Sequence, residues 1–340
     1  MPTKNRPATQ YGYAVARLRA LENRLLDETT FQRMIDCDTL ESAVKVLGET
    51  PYSSWLMEQK SAGFDKAIEA ALHAAYVEVA GFVPETDIVS LLRLPYDVHN
   101  VKTLLKGQIL AERGGKRRLD LLTSLGNVDT DTLTLAVEGE DYTGLPFGLD
   151  KAIPAAVELW QKDQDALALE KFLDGYYFKA LLKTAEGLAM PEVVRWVKAR
   201  IDGENLKTLL RLTHIPETRA QTATFLHAGG TLPPATLAPL VMEGPENWGR
   251  LLSYAGISKL LTAFTEDGDF SSMLVQFEKN LDNYVTETIA PARYSTFEPA
   301  NVVRYLWLKE IEAKNLRIVL VSVANGVEKD AIRGLLRDVR

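Results

Sequence analysis

Cysteine is almost missing from this chain: 340 residues contain one, Cys37. A lone thiol excludes an intrachain disulfide and any cysteine-based zinc cluster, and it fits a reducing compartment. Cys37 is expected as a small core residue. Histidine is scarce too, and His73, His99, His214 and His227 show no HxxH or HExxH spacing, so no metal site is expected. Lys and Arg number 39 against 46 Asp and Glu, a net charge of −7. That balance speaks against a nucleic-acid surface, whose affinity comes from clustered cations. The run "RGGKRR" at Arg113 to Arg118 is short and is expected in a solvated loop. No stretch approaches the roughly 18 unbroken apolar residues of a membrane span, and the opening "MPTKNRPATQ" has no signal-peptide core. A cytosolic chain with no direct membrane insertion is therefore expected. A GxxxxGK phosphate loop is missing as well, since Gly114-Gly115-Lys116 lacks the earlier glycine and the strand before it. The acidic pair in "EGED", Glu138 to Asp141, stands in a loop with no sign of a pocket to separate its pKa values. No cofactor and no catalytic set is expected.

What is present is repetition. "DVHNVKTLLK" at Asp97 to Lys106, "DGENLKTLLR" at Asp202 to Arg211 and "EAKNLRIVLV" at Glu312 to Val321 write one phrase: an acid, two free positions, Asn, an aliphatic residue and a base. By chance this pattern starts at roughly one position in ten thousand, so three occurrences point to duplication. Flanking landmarks recur in the same order. "DKAIE" (Asp65 to Glu69), "EKFLD" (Glu170 to Asp174) and "EKNLD" (Glu278 to Asp282) precede the three phrases, and Pro84, Pro191 and Pro299 stand between, each before an apolar pair. Further upstream come Thr39-Leu40, "TLTLAVEG" at Thr132 and "TLAPLVMEG" at Thr236. Units of about a third of the chain are too long for tetratricopeptide, HEAT or ankyrin repeats. The expected units are residues 1–110, 111–216 and 217–340.

Nearly every landmark has helical periodicity. Val15, Leu18, Leu21 and Leu25 in "YGYAVARLRALENRLL" form a buried stripe. The best strand-like run, Arg317 to Val323, continues a helical pattern, so the chain is expected to be all-α. Turns are expected at "AERGGKRR", "GEDYTGLPFG", "HAGGTLPPATLAP" and "TEDGDF". Trp55, Trp160, Trp196, Trp248 and Trp307 are expected in packing between helices.

On a helix the acid, the Asn and the aliphatic residues of each phrase share one side, while Lys102, Lys207 and Arg317 point elsewhere. Asn is a poor helix former because its amide competes for backbone partners. Its return in mid-helix at Asn100, Asn205 and Asn315 implies a buried amide, and a buried amide must be paired. The favoured account is that each Asn pins a neighbouring helix or loop, with Asp97, Asp202 or Glu312 completing a polar network. The other account makes the phrase a ligand or catalytic site in each unit.

"YGYAVARLRALENRLLD", "LPYDVHNVKTLLK", "IDGENLKTLLR" and "YLWLKEIEAKNLRIVL" together resemble the C subunit of the bacterial and archaeal V-type (A-type) ATP synthases, which is similar to the d subunit of the eukaryotic vacuolar ATPase. The resemblance spans essentially the whole chain. It implies a funnel-like all-α protein with pseudo-threefold symmetry that caps the cytoplasmic face of the proteolipid rotor ring and receives the central shaft, made of the D and F subunits. It also implies no nucleotide site and no chemistry in this subunit, and a monomer when isolated. The third phrase departs from the other two, with Glu312 for Asp and Val321 where Lys106 and Arg211 stand. A free-standing helical scaffold for soluble partners is the alternative. A third account, an enzyme with a cryptic site between units, predicts a deep pocket lined by titratable residues with perturbed pKa values.

Overall fold

A computed structural model describes residues 9–57, 63–264 and 269–339. The opening "MPTKNRPA" and most of the expected turn "TEDGDF" lie outside the described residues. Among the described residues every regular element is helical and no strand occurs. The strand-like run Arg317 to Val323 lies within a helix, as its periodicity indicates.

The longer helices are α1 (Gly12–Glu22), α2 (Glu28–Ile35), α3 (Leu40–Leu47), α4 (Phe64–Ala80), α5 (Asp87–Glu112), α6 (Thr130–Glu138), α7 (Leu149–Asp163), α8 (Ala166–Leu188), α9 (Pro191–Thr213), α10 (Phe270–Ile289), α11 (Ala300–Ala324) and α12 (Lys329–Leu335). Their starts follow local chemistry. Asp27, Thr39, Asp129, Asp165, Asp269 and Glu328 stand just before α2, α3, α6, α8, α10 and α12, and each side chain accepts a first-turn amide. Such caps satisfy donors that the helix itself cannot. Pro191 opens α9 at its first residue and Pro299 immediately precedes α11, where a missing amide hydrogen costs nothing. Pro84 lies ahead of α5, while Pro95 sits inside it.

The landmark strings occupy α4, α8 and α10, and the phrases occupy α5, α9 and α11. These six helices touch in a closed cycle: α4 packs on α5, α5 on α8, α8 on α9, α9 on α10, α10 on α11, and α11 back on α4. The phrase helices are buried on most of their circumference. Along α11, Val302, Val303, Leu306, Ile311, Leu316, Val319 and Leu320 are all fully enclosed. A second apolar cluster lies at the end of α9, where the short helical turns of residues 226–264 wrap Trp248, Phe264 and Phe277. Trp196 and Trp248 are completely buried, Trp160 and Trp307 nearly so, and Trp55 packs partly buried against the main core. Cys37 is half-buried, its thiol donating to the Arg33 carbonyl.

Candidate functional site

The three asparagines make one and the same contact. The Asn100 amide donates to the Thr123 carbonyl at 2.8 Å while its carbonyl accepts the Thr123 amide at 3.0 Å. Asn205 does this to His227 at 2.8 and 2.7 Å, and Asn315 to Arg337 at 2.9 and 3.0 Å. The partner lies 23, 22 and 22 residues further along. In each copy the side chain replaces a backbone partner for an irregular segment that could not otherwise pair its polar groups.

The acids hold the next stretch of the same segments. Asp97 accepts the Val128 amide at 2.9 Å and the Asn127 side chain at 2.7 Å. Asp202 accepts the Thr231 and Leu232 amides, both at 2.9 Å. A β-carbon on Gly126 would lie 2.6 Å from the Asp97 carboxylate, and one on Gly230 2.1 Å from that of Asp202. Glycine is therefore what lets the loop come this close. Burial pushes both carboxyls above their usual range, against the pull of the amides they accept.

The third copy closes the chain on itself. Glu312 accepts the amide of Leu26 at 2.5 Å and the Tyr52 hydroxyl at 2.8 Å, and it pairs with Lys309. Arg24, two residues before Leu26, stands where the other two loops carry glycine. The copy whose loop has no glycine here is also the one whose acid is Glu rather than Asp. The segment following each acid's contact packs on the phrase helix: α6 on α5, the turns at Pro234 to Met242 on α9, and α2 and α3 on α11.

The bases face the other way, toward the next landmark helix. Lys102 pairs with Asp174 and Lys106 with Glu170, both on α8. Arg211 approaches Glu278 on α10 at 3.8 Å, and Arg317 reaches Asp65 on α4 at 2.9 Å. First phrase to second landmark, second to third, third to first: the ion pairs repeat the cycle of the helices. Lys207 instead pairs with Glu204 on its own helix at 2.6 Å. The pairs of Lys106, Arg211 and Arg317 are exposed, so each contributes little to stability, about 0–1 kcal/mol, while those of Lys102 and Lys207 are partly buried.

The residues two positions before the three acids, Pro95, Arg200 and Glu310, line one cavity of about 360 Å³ between the helices. Equivalent places in the repeat carry three different chemistries there. Glu310 accepts a hydrogen bond from the Tyr76 hydroxyl, and burial raises its carboxyl above the usual range although Tyr76 and Arg200 act the other way. Arg200 stacks its guanidinium 4.8 Å from the ring centre of Trp196 and 5.6 Å from that of Trp307. Sequence reasoning misses this set, because repetition displays what the copies share and the cavity uses a place where they diverge. The lining has the perturbed titratable groups expected of a cryptic enzyme site, but it includes no Ser, Thr, Cys or His, and its one hydroxyl is that of Tyr177. Among the described residues no group of three His, Cys, Asp or Glu could hold a metal ion, and no helix is long and apolar enough to cross a membrane.

Comparison with known proteins finds relatives over most of the chain. The chain is similar to the C subunit of the V-type sodium ATPase of Enterococcus hirae, 24% identical over 326 residues covering 95% of this chain and 96% of that one. It is similar to the C subunit of the A-type ATP synthase of Methanocaldococcus jannaschii, 26% identical, covering 96% and 86%. The C subunit of the V-type ATP synthase of Thermus thermophilus is 27% identical over a shorter stretch, 60% of this chain and 64% of that protein. The family model described as ATP synthase (C/AC39) subunit matches residues 14–335. An all-helical rotary ATPase subunit built on three acid–Asn phrases is what residues 14–335 encode: the chain belongs to the ATP synthase (C/AC39) subunit family.

Proposed function

We propose that this chain is a non-catalytic rotor subunit of the central stalk, joining the shaft's D and F subunits to the proteolipid ring on the cytoplasmic side and passing torque for ATP-linked proton or sodium transport. In this proposal the units 1–110, 111–216 and 217–340 are related by an approximate threefold axis through a funnel-shaped body, and each unit lends its opening segment to the preceding phrase helix.

The observation that carries the proposal is the closed cycle of helix contacts and ion pairs in a chain of this family. A piece that passes torque must not unwind. A closed ring of close-packed helices has no free edge from which to unwind, and packing at crystal-like density resists shear. A body of three similar units also offers a ring of higher rotational order a similar surface on each side.

The test is purification of the tagged chain from native membranes, with mass spectrometry of its companions. Recovery of the shaft subunits and the proteolipid, together with a monomeric isolated chain, is expected. Recovery of soluble proteins alone would favour the free-standing scaffold and end the rotor assignment.

A further inference from the structure

We propose that the central cavity is a binding site for a small oxyanion, a carboxylate or a phosphate, held in the fork of the Arg200 guanidinium. The proposal does not depend on the rotor assignment.

Arg200 has no hydrogen-bond acceptor and no ion-pair carboxylate within bonding distance among the described residues, although it lines the cavity. Its neighbours are engaged. Lys207 pairs with Glu204 at 2.6 Å, Lys314 with Asp282 at 2.8 Å, and the Glu310 carboxyl is bonded by Tyr76. Arg200 is partly buried, so its donors, which no protein acceptor meets, are open to water or to a ligand in the cavity. Trp196 and Trp307 flank the guanidinium, its central carbon 4.8 and 5.6 Å from their ring centres, and Arg200 lines the cavity between the helices.

A second, independent group is also unmet. The Tyr177 residue is only 7% exposed, its hydroxyl has no partner, and it lines the same cavity. What remains unsatisfied is thus a set of donors, and it calls for a ligand made of acceptors. Planar carboxylates and tetrahedral phosphates both present paired oxygens that match a guanidinium edge. A cavity of about 360 Å³ is at the small end of ligand pockets. The asymmetry points the same way. The positions equivalent to Arg200 hold Pro95 and Glu310, and those equivalent to Tyr177 hold Leu72 and Val285, so this donor pair exists in one unit of the three.

The test uses the purified full chain in thermal melts and calorimetric titrations with sodium phosphate, sodium acetate or sodium chloride, at one pH and matched ionic strength. Saturable stabilisation by phosphate or by acetate, not shared by chloride, is expected, and the two arms decide which oxyanion fits. Arg200→Gln should abolish it, Tyr177→Phe should weaken it roughly tenfold or more, and Lys259→Gln, an exposed control, should leave it unchanged. The proposal is overturned if chloride does as well, if no saturation appears, or if Arg200→Gln binds as the parent does. Should Arg200→Gln fail to fold, Tyr177→Phe decides, since it removes one hydroxyl and unchanged affinity would defeat the idea.

Discussion

Replacing Asn315 by Leu keeps the size of the side chain and removes both of its hydrogen bonds to the Arg337 backbone, 2.9 and 3.0 Å. An amide and a carbonyl then lose their partners. Each unmet buried group costs about 1–3 kcal/mol, so the pair costs about 3–4 kcal/mol where water cannot enter. Both bonds of Asn315 are buried, whereas those of Asn100 and Asn205 are only partly so. Water can repair part of the loss there, and Asn100→Leu and Asn205→Leu should each cost about 2–3 kcal/mol. Unfolding entropy of about 2.1 cal/mol/K per residue makes 1 kcal/mol worth about 1.4 °C in a chain of this length. The expected drops are therefore about 4–6 °C for Asn315→Leu and about 3–4 °C for the other two. Circular dichroism melts measure the global effect. Hydrogen exchange at the amides of Thr123, His227 and Arg337 reads the local one, and in each variant only the amide that was paired with the substituted asparagine should exchange faster. Shifts below about 1 °C in all three, or a larger loss at Asn100 than at Asn315, would refute the idea that these amides pin buried backbone.

Three further outcomes are expected. Gly230→Ala drives a β-carbon to 2.1 Å from a carboxylate fixed by two backbone amides, so equilibrium urea unfolding should show a loss of about 2–3 kcal/mol; a neutral result would mean that the loop at Asp202 moves freely. Glu310 has a folded pKa raised above its unfolded value, so the stability it contributes is present in acid and lost as pH rises through the folded pKa. Glu310→Gln keeps an acceptor for Tyr76 and cannot ionise, so its melting temperature relative to the parent should climb as pH rises above the ordinary carboxylate range; a flat difference would count against a buried, reluctant carboxyl. Lys106→Gln removes one exposed ion pair of the helix cycle and should change stability by less than about 1 kcal/mol in a denaturant melt; a large loss would show that the seams are electrostatic rather than packed.

Much of the fold can be read in the chain because the repeated phrase carries its physics with it. An asparagine in mid-helix beside aliphatic residues has few tolerable explanations, and a recurring one implies recurring backbone to be paired. A helix start is legible at Pro191, where one residue settles the local chemistry. The cyclic seams are not legible. Arg317 and Asp65 are 252 residues apart, and nothing local in either string names its partner. The turn around Gly230 is legible in "HAGGTLPPATLAP", but why Gly126 and Gly230 admit no side chain is not, because that need comes from a carboxylate in the preceding helix, some thirty residues earlier. Arg200 and Glu310 stay hidden for the opposite reason: duplication displays sameness, whereas the cavity is lined from a register position at which the copies differ.

The most direct trial of the rotor assignment is to watch the subunit turn. With the complex held to a surface by its catalytic headpiece and a bead attached to this chain, ATP should drive continuous rotation of the bead in one direction. A bead that stays still while ATP is hydrolysed and a second bead on the shaft rotates would contradict it.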